Sequence, residues 1–192
     1  MDQRKTKALL LEKLYAPYKN CKNCLLKLTT QHNFVCGYGN PAARLVFIGE
    51  APGKHEDEQG LPFVGKSGML LTKALNCLDI SREDVFITNS VKCRPPQNRK
   101  PTPQECQLYK PLLLKEIDII QPVVICTLGA TALEAILQEP AHMSSMHGKE
   151  LSFHGTILIP TFHPAYILRD PRKFDMWFAD LQKAWQLSQA RK

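Results

Sequence analysis

The sequence predicts an α/β fold, a three-layer α/β/α sandwich on a central, mainly parallel, four-stranded sheet. Two observations carry that expectation. Arg44 to Gly49, Val85 to Thr88, Pro122 to Thr127 and Thr156 to Thr161 are short apolar runs rich in β-branched residues, the pattern of strands buried on both faces. Between and after them stand helical stretches: Ser67 to Leu78, Pro103 to Ile120, Ala130 to Gln138 and a last amphipathic one from about Arg172 to Gln189. Such alternation implies right-handed βαβ crossovers and hence a parallel sheet. One helix start is well marked, because Thr102, Pro103 and Glu105 supply a cap, a first-turn proline and the partner of a capping box.

The 192 residues fit one domain, expected to span 1–192 with a basic N-terminal helix at about 3–18 and the C-terminal helix at about 172–189. Hydrophobic residues make up 44% and charged residues 22%, which excludes a disordered or collagenous chain and allows a real core. The longest apolar runs fall far short of the roughly 20 residues that cross a bilayer. Met1 to Leu11 lacks a secretory pattern, so a reducing, cytoplasmic compartment is expected. Seven cysteines there favour metal ligands or buried thiols over disulfides.

The net charge of +7 is unevenly spread. Met1 to Lys27 holds seven Lys/Arg against two acids, and Lys92 to Gln104 holds Lys92, Arg94, Arg99 and Lys100 against none. Both stretches can track phosphates or simply face solvent. Glu50 to Glu58 reverses the sign with four acids and one lysine, which suggests chemistry there.

In open parallel sheets the loops at the carboxyl ends of the strands line a crevice. Gly49-Glu50-Ala51-Pro52-Gly53 follows the first strand, with Glu56, Asp57 and Phe63 soon after; Asn89 ends the second, and His163 follows the fourth. Singly, Asn89 can be a turn former, Phe63 a core residue, His163 a satisfied histidine and Glu56 a solvated acid. Together, an acid, an aromatic, an amide and an imidazole on one edge make a site. Gly49, Gly53, Gly60, Gly65 and Gly68 imply a tight loop whose backbone approaches something closely. Gly60 to Ser67 also spells a nucleotide-loop pattern, but it starts well after the strand and contains Pro62, which has no amide hydrogen to offer a phosphate.

Cys21 and Cys24 form a CxxC pair that zinc, redox chemistry or coincidence can explain. Cys93 lies in the basic loop and Cys106 early in the capped helix, too far along the chain for a compact zinc ribbon, so an iron–sulfur cluster becomes plausible. Cys36, Cys77 and Cys126 read as packing residues.

Gly49-Glu50-Ala51-Pro52-Gly53 with Glu56-Asp57, Pro62-Phe63-Val64-Gly65, Lys92-Cys93-Arg94-Pro95-Pro96-Gln97-Asn98-Arg99 and His163-Pro164-Ala165-Tyr166 resemble family 4 uracil-DNA glycosylase, the iron–sulfur class. The likeness runs from Cys21 to about Arg169. It implies a [4Fe-4S] cluster and release of uracil from DNA as free base, leaving an abasic site. A non-catalytic iron–sulfur DNA-binding accessory domain serving a polymerase is the alternative.

The chemistry agrees with what the resemblance implies. A base must leave the stack to be reached. Phe63 is then the stacking surface, Asn89 the reader of the uracil edge, and His163 the donor to charge developing on the base. Glu56 takes the family position of the carboxylate that stabilises the sugar cation and orients water, with Glu50 and Ala51 lining the pocket. Arg94, Arg99, Lys100 and Arg169 are expected on phosphates, with Leu168 and Arg169 wedging into the gap left by the base. Cys21, Cys24, Cys93 and Cys106 are the expected cluster ligands, although the family places its fourth cysteine at the position of Tyr109. Relatives that trap uracil covalently carry a histidine in the loop after the second strand. Cys93 to Cys106 has none, so turnover is expected. Ala51 stands where other glycosylase families have a water-activating Asp. Uracil-containing DNA is the expected partner of a monomer, with no membrane partner; repair or replication partners are not legible.

Overall fold

The computed structural model describes residues 2–19 and 33–190. Along the chain run α1 (Gln3–Lys19), β1 (Tyr38–Gly39), β2 (Leu45–Gly49), α2 (Lys54–Gln59), α3 (Lys66–Cys77), β3 (Phe86–Asn89), α4 (Pro103–Ile120), β4 (Val124–Leu128), α5 (Ala130–Leu137), α6 (Met143–Met146), β5 (Leu151–Phe153), β6 (Thr156–Thr161), α7 (Pro164–Arg169) and α8 (Phe174–Ala190). Five-residue runs such as Leu45–Gly49 are buried throughout, because helices cover both faces of the sheet.

The sheet has six strands in the order β1-β3-β2-β4-β6-β5. Its four central strands are parallel and are those expected. The expectation of four is corrected at the edges, where β1 and β5 add antiparallel to β3 and β6. Two and three residues are too few to show an alternating pattern, and edge strands need not be apolar on both faces.

Alternation along the strands divides the core. Val46, Ile48, Ile125 and Leu158 face α1, α4 and α5 through Tyr15, Leu113 and Leu133. Leu45, Phe47, Cys126 and Ile159 face α3 and α8 through Leu71, Leu75, Trp177 and Leu181. These are the three layers. No helix of the described residues is long and apolar enough to cross a membrane. From β2 the chain steps to one side for β3, then returns to β2's other side for β4. The carboxyl end of β2 is therefore the switch point, where such sheets open a crevice.

Candidate active site

At that crevice Gly49 pairs with Asn89, and Ile48 with Thr127. A cavity of about 460 Å³ opens there, lined by Glu50, Ala51, Glu56, Phe63, Asn89 and His163 together. Gly49 has to be glycine, since a Cβ would lie 2.4 Å from Phe63 Cζ and 2.5 Å from Asn89 Oδ1. The end of β2 is thus the wall against which the aromatic and the amide rest.

Asn89 is 3% exposed, and its buried Oδ1 has no hydrogen-bond partner among the described residues. A buried unpaired acceptor costs about 1–3 kcal/mol, so a ligand donor that meets it gains that much in affinity. The turn behind it is fixed: Ser90 N and Oγ both donate to Gly49 O, at 2.8 and 2.9 Å, and Val91 N donates to Glu50 O at 3.1 Å. Glu50 itself accepts from the Thr131 hydroxyl at 2.5 Å.

Glu56 does not sit in a loop, as its surroundings in the sequence suggest, but in the first turn of α2. Its carboxylate accepts from the amides of Gly53 (3.1 Å), Val64 (2.9 Å) and Gly65 (2.7 Å). A negative charge is thereby held at the pocket edge, and it also ties the two ends of the glycine-rich loop. Asp57 turns away into the fold, accepting from Asn33 N at 2.8 Å.

Phe63 lies between these ties with φ of 54°, a left-handed conformation that costs an aromatic residue about 1–2 kcal/mol. Its ring centroid is 5.9 Å from that of His163, at an interplanar angle of 35°. His163 enters from β6, whose last residue, Thr161, donates to Asp180 Oδ2 on α8 at 2.7 Å. It caps α7: Nδ1 accepts from Ala165 N at 3.1 Å. That bond puts the proton of the neutral ring on Nε2. Burial, then the charge of Arg169, pulls the pKa down to about 4, against an upward pull from Glu56. The ring is a neutral donor at pH 7.

The expected DNA contacts are more scattered. Arg99 lines the cavity but makes a bidentate pair with Glu105, at 2.6 and 2.7 Å. Lys100 pairs with Glu134 at 3.1 Å, and Arg94 is held by Asn98 at 2.6 Å and Asp57 at 3.9 Å. Leu168 is 48% exposed at the end of α7, with Arg169 exposed beside it. Lys54 and Lys66 also line the cavity; Lys66 belongs to the Gly60 to Ser67 pattern, whereas no sequence pattern marks Lys54. Lys66 opens α3, one residue before the helix expected from Ser67, and Lys54 opens α2.

Cys21 and Cys24 lie outside the described residues. Cys93 is fully buried in the core cluster that also holds Tyr109. Cys106 packs against that cluster's edge and lines a second cavity, of about 600 Å³, between α4 and α5. Burial, Glu50 and Glu105 raise its pKa. Among the described residues no three His, Cys, Asp or Glu side chains form a group that could hold a metal.

Residues 36–188 match the family model of the uracil DNA glycosylase superfamily. The chain is 46% identical over 167 residues to the type-4 uracil-DNA glycosylase of Thermotoga maritima, covering 86% of each chain. It is 39% identical over 185 residues to that of Archaeoglobus fulgidus, covering 92% of each. A DNA polymerase of Bacillus phage SP01 is 31% identical over 147 residues, which are 76% of this chain and 16% of the polymerase.

Proposed function

The chain belongs to the uracil DNA glycosylase superfamily, and from that premise we propose how its pocket excises uracil from DNA. The buried, unpaired Asn89 Oδ1 carries the proposal. Uracil places its N3–H donor beside its O4 acceptor, so Oδ1 accepts the first while Nδ2 donates to the second. Cytosine presents the inverse pair at these atoms and leaves both groups unmatched.

A base flipped from the stack lies on Phe63, which offsets part of the few kcal/mol of unstacking. As the bond from N1 to the sugar C1′ breaks, its electron pair moves into the uracil ring and charge grows on O2. His163 Nε2–H donates to that oxygen. A donor aimed at developing charge is worth about 100- to 1000-fold in rate. The Glu56 carboxylate, fixed by three amides, stabilises the cationic sugar and orients the water that adds to C1′. Free uracil and an abasic site result.

Arg99, Lys100 and Arg94 serve the phosphates while still sharing charge with their carboxylate partners, and Leu168 with Arg169 enters the gap left by the base. Cys93 and Cys106, with Cys21 and Cys24, would hold a [4Fe-4S] cluster. The donors fit in chemistry, since thiolates are the preferred ligands of such clusters and Cys106 packs against the core cluster that contains Cys93. Bound, the cluster would cross-link the basic loop and α4 to the CxxC segment.

The likeness to part of a phage DNA polymerase favours one second reading, a DNA-binding accessory module with an idle pocket. An oligonucleotide with a single uracil separates the two. Strand cleavage by alkali at the uracil after incubation is expected, and tight binding without that product would establish the accessory reading instead.

A further inference from the structure

We propose that Arg82, in the turn before β3 and outside the cavity lining, is a positioning residue that sets the Phe63 stacking surface by holding two successive carbonyls of its turn. The inference rests on the reading of Phe63 as the platform for a flipped uracil. Arg82 Nη1 donates to Phe63 O at 2.9 Å and Nη2 to Pro62 O at 2.8 Å. Nη1 also reaches Thr72 Oγ1 on α3 at 3.1 Å, and the Thr72 hydroxyl donates to Gly68 O at 2.9 Å. The planar guanidinium presents its donors in a fixed fork, so it fixes the directions of both carbonyls and not merely their distance.

The turn needs this. Phe63 holds a left-handed conformation that an aromatic residue leaves unless its surroundings over-determine it. The amides that follow, of Val64 and Gly65, are held by Glu56 on the cavity side. The carbonyls that precede them are held by Arg82 from the opposite side. An anion on the amides and a cation on the carbonyls thus pull the same four residues taut, and Glu56 is among the charges that act on Arg82. Behind the turn α3 comes so close that a Cβ on Gly68 would lie 1.9 Å from Phe63 O, so the helix blocks any retreat of that carbonyl. With the guanidinium removed, both carbonyls lose their donor, the turn is free to relax, and the ring shifts against Asn89 and His163. A displacement of about 1 Å at a reacting centre costs about 100-fold in rate.

The test uses the full chain. Arg82→Met should lower single-turnover excision from a uracil oligonucleotide by about 10- to 100-fold, and raise the inhibition constant of free uracil by a similar factor. Affinity for the same oligonucleotide without uracil should stay unchanged, because Arg82 does not line the cavity. Arg82→Lys, which keeps the charge but loses the fork, should fall between wild type and Arg82→Met, and it carries the test if the Met variant does not fold. Thermal melting is measured on each. Variants that melt earlier but excise uracil and bind free uracil like wild type would overturn the proposal and leave Phe63's stacking role standing. A wild-type protein that neither excises uracil nor binds it would overturn both.

Discussion

The Lys92 ammonium and the Glu116 carboxylate meet at 2.6 Å with 0% and 1% of their side chains exposed. Lys92 also donates to Thr88 Oγ1 at 2.6 Å and to Asn89 O at 2.9 Å, and Tyr15 donates to the other Glu116 oxygen at 2.6 Å. One buried ion pair therefore joins α1, α4, the end of β3 and the loop that carries Cys93. A buried pair is worth little over an apolar substitute, but breaking one leaves an unmatched charge at about 3–5 kcal/mol. Lys92→Met or Glu116→Leu alone should lower the free energy of urea unfolding by that amount, and the two together should recover most of it. Additive losses in the double variant would show that the pair is not the source.

Where the sequence pattern was legible, it was because burial and capping write themselves into residue type. Val124 to Leu128 is apolar enough to mark a strand covered on both faces, and Thr102 with Glu105 forms the expected capping box, at 3.2 and 2.8 Å. The convergence of Glu50, Glu56, Phe63, Asn89 and His163 also followed, since strand ends determine it. Lys54 to Gln59 escaped because KHEDEQ is polar all round and has no apolar face to show a helical period. The pairing of Lys100 with an acid escaped as well, because Glu134 approaches from another helix. Arg82 escaped for the same reason, since its partners are backbone carbonyls 19 and 20 residues away.

His163 makes the stability of the chain pH-dependent in a defined direction. Its folded pKa of about 4 lies below the ordinary 6.5, so between those values the unfolded chain binds a proton that the folded chain does not. This contribution is complete above pH 6.5, is lost as pH falls toward 4, and amounts to about 3 kcal/mol. Unfolding measured at pH 7 and pH 4.5 should show the loss, and His163→Gln should reduce it. Catalysis should show no inflection near pH 6.5, because the working neutral ring takes up its proton only near pH 4. An inflection there that vanishes in His163→Gln would overturn the assignment.

Asn89→Asp exchanges the edge donor for an acceptor while leaving the Oδ1 position filled. Uracil excision should fall by about 10- to 100-fold, the worth of a paired base contact. A protonated Asp can match cytosine's inverse pair, so slow release of cytosine should emerge below neutral pH. Excision assays on matched uracil and cytosine oligonucleotides decide the point, and unchanged selectivity would remove Asn89 from the reading role.

Salt should separate the cations that already have partners from those that face DNA. Removing one cation from a phosphate reduces the slope of log affinity against log salt by about 1. Arg169→Gln should produce that full change. Arg99→Gln should produce less, because Glu105 already neutralises the guanidinium at 2.6 Å. Equal changes would mean that Arg99 leaves Glu105 for a phosphate on binding.

The last prediction concerns Cys106. It stands three residues before Tyr109 on α4, and residues so spaced lie about 5–6 Å apart on one helical surface. Tyr109 is buried in the core cluster with Cys93, whereas Cys106 borders it and opens toward Thr131 and Glu134. Burial, and then the nearby carboxylates, disfavour a free thiolate, but a bound cation reverses that balance and takes the thiol deprotonated. As a ligand, Cys106 requires a turn of the first residues of α4 that brings the sulfur inward. Protein purified without oxygen should be brown and carry about four irons per chain. Cys106→Ser should lose colour and iron, whereas Ser at Cys36, Cys77 or Cys126 should keep both. Adding Tyr109→Cys to Cys106→Ser should restore the iron, since that position shares the buried core cluster of Cys93. A Cys106→Ser protein with its full iron content would show that a ligand other than Cys106 completes the site.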